Sequence, residues 1–88
     1  MKLIIAIIND ADNDRVSAAL TNEKFRVTFI ASTGGFLRSG RSTLLIGTEE
    51  DRVARALEII RETSTEPKNE NEKRATVFVV DVAKFTQL

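Results

Sequence analysis

Leu3–Ile8 reads LIIAII, six apolar residues in a row, four of them isoleucine. Strands that are covered on one face alternate between apolar and polar residues. Strands buried on both faces read as unbroken apolar runs. The run is too short for a signal-peptide core or a membrane span, and no small-residue cleavage site follows it. It therefore predicts a central β-strand, and the chain is expected to act in the cytoplasm.

Outward from this strand, NDADND favours a turn and a helix start. Val16, Ala19 and Leu20 then recur at helical spacing. This predicts a helix over about Asp12–Asn22, with Asp12 and Asp14 near its positive end. Phe25–Ser32, FRVTFIAS, alternates. Phe25, Val27, Phe29 and Ala31 are expected on one face and Arg26, Thr28, Ile30 and Ser32 on the other. TGGFLRSGRS connects it to a third strand, Thr43–Gly47. Thr48 and Asp51 have the spacing of a capping box for a second helix. Val53, Leu57 and Ile60 form its apolar stripe, with Ala54 and Ala56 beside them. Ser64–Arg74, STEPKNENEKR, has no apolar residue other than the single proline and is expected to be a solvated, mobile loop. Ala75–Val82 reads as the fourth strand, and AKFTQL as a short extension.

The order is β-α-β-β-α-β. Right-handed crossovers turn it into a ferredoxin-like α+β fold, a four-stranded antiparallel sheet with both helices on one face. Leu3, Ile5 and Ile7 then stand on the face opposite Ile4, Ala6 and Ile8, and the last strand repeats this two-sided pattern. One face of the sheet would be left as an apolar patch, so packing of several copies against each other is expected.

The chain has 88 residues, enough for one domain (residues 1–88) with a marginal core. Thirteen basic and thirteen acidic residues balance, so bulk attraction to DNA is not implied. With no Cys and no His, Ser–His and Cys–His nucleophiles, disulfides and ordinary zinc sites are excluded. The carboxylates cluster at predicted helix starts, which accounts for them without a catalytic or metal-binding role. No enzyme activity, metal or cofactor is expected.

Thr33–Arg41, TGGFLRSGR, is the one segment with a ligand-binding character. It matches neither a P-loop nor a dinucleotide fingerprint, and it joins strand to strand. Spacing alone assigns Gly34, Gly35 and Gly40 to a tight connection. Phe36 offers an aromatic surface for a base, and Arg38 and Arg41 suit phosphate. Arg26 and Thr28 project from the strand before it. Together these residues sketch a nucleotide pocket at a strand edge.

Four stretches carry a resemblance that spans the chain outside Ser64–Arg74: MKLIIAIINDAD, FRVTFIASTGGFLRSGRSTLLIG, DRV, and ATVFVVDVAKFTQL. They resemble the cyclic-di-AMP receptor family of PII-like signal-transduction proteins. Thr33–Arg38 followed by Gly40 is the most specific part. The resemblance implies a ferredoxin-like protomer, a homotrimer and three ligand sites in clefts between subunits, from which binding of cyclic-di-AMP is relayed to a protein partner. It implies that Arg26 and Thr28 contact the nucleotide and that Thr33, Gly34 and Gly35 shape the loop. Phe36 and Leu37 would pack on an adenine, Gly47 would admit close backbone approach, and Gln87 would close the site. The family usually has Asn where this chain has Lys24 and Arg41, both at the implied pocket. The loop before the last strand is short here. These departures keep a second reading open, an oligomeric PII-like interaction module that does not bind cyclic-di-AMP.

Overall fold

Lys2–Asn9 forms strand β1, and the apolar run is central as its composition requires. The structure, a computed structural model, describes residues 1–32, 40–67 and 74–88. A short 3₁₀ turn, Asp10–Asp12, leads into helix α1, Asn13–Asn22. Strand β2 is Arg26–Ser32 and strand β3 is Arg41–Thr48. A second 3₁₀ turn, Glu50–Arg52, opens helix α2, Val53–Thr63, and strand β4 is Ala75–Asp81. The sheet order is β2-β3-β1-β4, with every pair antiparallel. This is the expected ferredoxin-like arrangement. Among the described residues no helix is long and apolar enough to cross a membrane.

Register decides which side chains are buried. Ile4 pairs with Ile46, and Ala6 with Leu44. All four are fully buried against Val16 and Leu20 of α1 and Ala56, Ile59 and Ile60 of α2. Each fully buried aliphatic side chain contributes about 1.5–3 kcal/mol. On the opposite face Leu3, Ile5 and Ile7 are only half-buried, and Phe78 and Val80 beside them are 52% and 42% exposed. The stripe of α2 differs from the expected one. Ile59 is buried with Ile60 and Ala56, whereas Val53 and Leu57 are partly buried and Ala54 is exposed.

β2 breaks the expected alternation. Its pairing with β3 shifts register between Phe29 and Ala31, and Phe29 and Ile30 are both about half exposed. The shift comes after Phe29, which still pairs with the buried Leu44 as Val27 pairs with the buried Ile46. The bulge breaks the alternation only beyond it, where Ala31 pairs with Thr43 and Ser32 with Ser42.

The end of α1 is a Schellman motif. The Lys24 N–H donates to the Thr21 carbonyl at 2.9 Å, and the Phe25 N–H donates to the Leu20 carbonyl at 3.1 Å. This places Lys24 at φ 68°, in the left-handed region where Gly and Asn are favoured. Phe25 and Leu20, the two residues at the ends of the longer bond, are both buried in the core. Arg52 lies 4.0 Å over the Phe25 ring and donates to the Glu23 carbonyl, which ties the end of α1 to the start of α2.

The helix starts correct two expectations. Glu49, not Thr48, is the residue before the second 3₁₀ turn, and no side-chain cap forms there. Thr48 is the last residue of β3, so the Thr48–Asp51 spacing is not a capping box. Asp12 does not cap α1 either, because the 3₁₀ turn gives it helical rather than extended backbone angles. Its carboxylate is fully buried and accepts from Arg15 Nη2 at 2.6 Å, from the Thr65 N–H at 3.0 Å and from the Thr65 hydroxyl. Arg15 Nε also donates to the Thr63 carbonyl at the end of α2. The head of the 64–74 segment is therefore anchored, contrary to the expectation of a wholly solvated loop. Ser64 is buried, with its hydroxyl donating to the Ile60 carbonyl. Residues 68–73 lie outside the described residues.

Candidate functional site

The antiparallel pairing brings the start of β1, the start of β2 and the end of β3 to one end of the open face. Arg26 pairs with Gly47, Thr28 with Leu45, and Leu3 with Gly47. The chain leaves β4 at the same end, where the Val82 N–H donates to the Met1 carbonyl at 3.0 Å. A cavity of about 490 Å³ opens there, lined by Arg26, Thr28, Gly47 and Gln87 among others. That volume falls within the roughly 300–1,000 Å³ of small-molecule sites.

Four residues expected at the ligand site are thus neighbours in space. Arg26 and Gln87 are 61 positions apart in the chain, and the strand order joins them. Gly47 lies in open space, because a Cβ built on it meets nothing within 4 Å. Its φ is not positive either. Neither the backbone nor packing within the chain requires glycine at 47.

The rest of the wall is apolar: Met1, Leu3, Leu45, Val82 and Phe85. Among the described lining residues Arg26 and Lys2 bear side-chain charge. Lys2 alternates with Leu3 and shares the helix-covered face with Ile4, so Arg26 is the cation on the cavity's own face. Lys2 is hydrogen-bonded to Asp81 and stands 3.7 Å from Glu50. The bond to Asp81 holds the ammonium above its ordinary range, against a smaller opposing effect of desolvation. The same bond pulls the Asp81 carboxyl below its ordinary value. Lys2 therefore stays charged at neutral pH. An apolar cavity with one cationic side chain, Arg26, and two neutral polar groups suits a flat, partly apolar anion.

Arg41 is not part of this cavity. It pairs with Asn9 at the other end of β3, six residues from Gly47 and so about 20 Å away along the strand. Lys24 is also not among the lining residues. Its left-handed backbone supplies a conformational reason for a preference for Asn there, separate from any contact with a ligand. Thr33, Gly34, Gly35, Phe36 and Leu37 lie outside the described residues. Their anchor points, Ser32 and Gly40, are at the Arg41 end of the hairpin.

Lys2 and Phe85 were missed in the sequence. Lys2 looked like the flank of an apolar run, and Phe85 like part of a short extension. Phe85 is nonetheless the one aromatic in the polar KFTQ stretch, which was a usable signal. Among the described residues no group of three acidic side chains comes together as a metal site would require.

A family model described as cyclic-di-AMP receptor matches residues 1–71. Among solved structures, a functionally unknown protein from Pediococcus pentosaceus ATCC 25745 is similar to this chain at 38% identity and a TM-score of 0.77. The match covers 99% of this chain and 96% of that one.

Proposed function

The chain belongs to the cyclic-di-AMP receptor family, and from that premise we propose that it is a non-enzymatic, cytoplasmic signal-transduction protein that binds cyclic-di-AMP or a related adenine nucleotide. The sites are clefts between the subunits of a PII-like homotrimer, and occupancy is relayed to a protein partner. The observation that carries this reading is the cavity, which is largely apolar, carries the Arg26 cation and is lined also by Thr28, Gly47 and Gln87. Purine rings match its apolar wall, and a phosphate matches Arg26.

Two features support a site shared between subunits. The open sheet face exposes Phe78 and Val80 beside Leu3, Ile5 and Ile7, an apolar surface that another copy would cover. The segment 33–40 is anchored about 20 Å along the hairpin from the cavity. In a trimer, Phe36, Leu37 and Arg41 of one copy meet the Arg26 cavity of the next. Ligand held between two subunits then changes the surface offered to a partner, because its binding energy favours the arrangement that closes the cleft.

Calorimetry with cyclic-di-AMP, cyclic-di-GMP and ATP tests the ligand, and light scattering at micromolar protein tests the assembly. Heat with cyclic-di-AMP and the mass of a trimer are expected. Arg26→Ala is expected to weaken binding by about 10- to 100-fold, the effect of losing a charge-assisted hydrogen bond. Gly47→Ala should leave the melting temperature unchanged and still reduce affinity, because its methyl group enters space that the chain itself leaves empty. Absence of heat with all three nucleotides sinks the ligand reading in favour of the interaction module without cyclic-di-AMP. A monomer sinks the shared site.

A further inference from the structure

We propose that Phe85 is a base-stacking residue of this cavity, so that the chain's C-terminal segment supplies one face of the purine sandwich. The inference rests on the nucleotide reading above and adds to it a residue beyond the 1–71 stretch that carries the family match.

Phe85 lines the cavity together with Arg26, Thr28 and Gln87, yet it is 61% exposed. Among the described residues it is the only aromatic on that wall. An aromatic ring left this open within a small, well-packed fold lacks the partner that its size calls for. Its neighbours follow an alternation. All four are exposed, but Phe85 and Gln87 line the cavity while Thr86 and Leu88 do not. A chain passing the cavity in extended form turns every second side chain inward.

The backbone allows the ring to adapt. The bond from the Val82 N–H to the Met1 carbonyl fixes where the segment leaves the sheet. Beyond it, Lys84–Leu88 belong to no helix or strand. A short reorientation can therefore bring the ring flat against a base without breaking sheet hydrogen bonds. The chemistry of the wall narrows the ligand further. Arg26 attracts phosphate, and Gln87 offers both a donor and an acceptor to a base edge. A stacking plane is the remaining element that a purine nucleotide needs, and Phe85 provides it.

The chain contains no Trp and no Tyr, so Phe85→Trp introduces a single indole fluorophore into the cavity. Titration of this variant with cyclic-di-AMP should change the indole emission in a saturable way, at an affinity within a few fold of wild type. Phe85→Ala should weaken binding by about 10-fold or more, the loss expected when a base-stacking aromatic is removed. Phe85→Leu should lie nearer to Ala than to Trp, because it keeps apolar bulk and loses the flat ring. Melting temperatures without ligand should match wild type for all three, as the side chain is mostly exposed. The proposal is overturned if Phe85→Ala binds within two-fold of wild type. It is equally overturned if the indole signal responds to protein dilution and not to ligand, which would mean that another copy covers Phe85. A wild-type protein that binds no nucleotide removes the reading beneath it, an outcome separate from either result with the variants.

Discussion

The two faces of the sheet are built from the same kinds of residue and have opposite fates. Ile4, Ala6 and Ile8 on one face of β1 are fully buried, while Leu3, Ile5 and Ile7 on the other remain half-exposed. Ile46 is buried under the helices, and Leu45, its neighbour in β3, lines the cavity. The covered face holds the chain folded. The open face combines an apolar surface with the cationic cavity, so it is the face on which assembly and ligand binding are proposed. Composition does not distinguish the two, because the difference lies in where α1 and α2 pack.

The largest expected effect tests this contrast directly. Ile46→Ala should destabilise the fold by about 2–5 kcal/mol, the cost of a cavity in a packed core. Leu45→Ala should cost less than about 1 kcal/mol in dilute solution, where the open face meets water. Urea denaturation of both variants measures the difference. Equal losses at low protein concentration would break the comparison, since they would mean that the open face is as tightly packed as the covered one.

A second test concerns charge on the covered side. Asp12 is tolerated there because Arg15 and Thr65 satisfy its oxygens. Asp12→Ala should cost about 2–3 kcal/mol, since the Thr65 N–H and the Arg15 guanidinium lose their shared acceptor. Asp12→Asn should cost less, because it keeps one acceptor oxygen. The same denaturation curves measure both. Indifference to Asp12→Ala would show that the link between α1 and the end of α2 contributes nothing to the fold.

The smallest effect sharpens the boundary between fold and site. Lys24→Gly should stabilise the protein by about 0.5–1 kcal/mol, because glycine adopts the left-handed angle without penalty. Nucleotide affinity should be unchanged, since Lys24 is not among the lining residues. A change in affinity without a change in stability would move Lys24 from the helix end to the ligand site.

Much of this was legible in the chain. The run Leu3–Ile8 identified the central strand, which lies between β3 and β4, although only one of its faces is covered within the chain. The order of elements led to the sheet topology, since crossover handedness leaves few alternatives. Arg26, Thr28, Gly47 and Gln87 were named together from the resemblance, and the structure sets them around one cavity. The failures were local and shared a cause. Asp12 and Thr48 had the composition of helix caps, but both helices open through 3₁₀ turns that change the cap geometry. The expected alternation ran on through Ala31 and Ser32, but a bulge after Phe29 shifts their pairing. Composition reports preference, whereas a cap or a face depends on backbone angles set by the surrounding packing.

By itself the sequence determined the strands and helices, their order, and the presence of apolar residues on both sides of the sheet. These follow from periodicity, which is local. Only the tertiary structure decided that Arg26, Gly47, Phe85 and Gln87 converge on one cavity while Arg41 stands about 20 Å from Gly47, at the far end of β3. That separation is a matter of register, and register is set by pairing between strands distant in the chain.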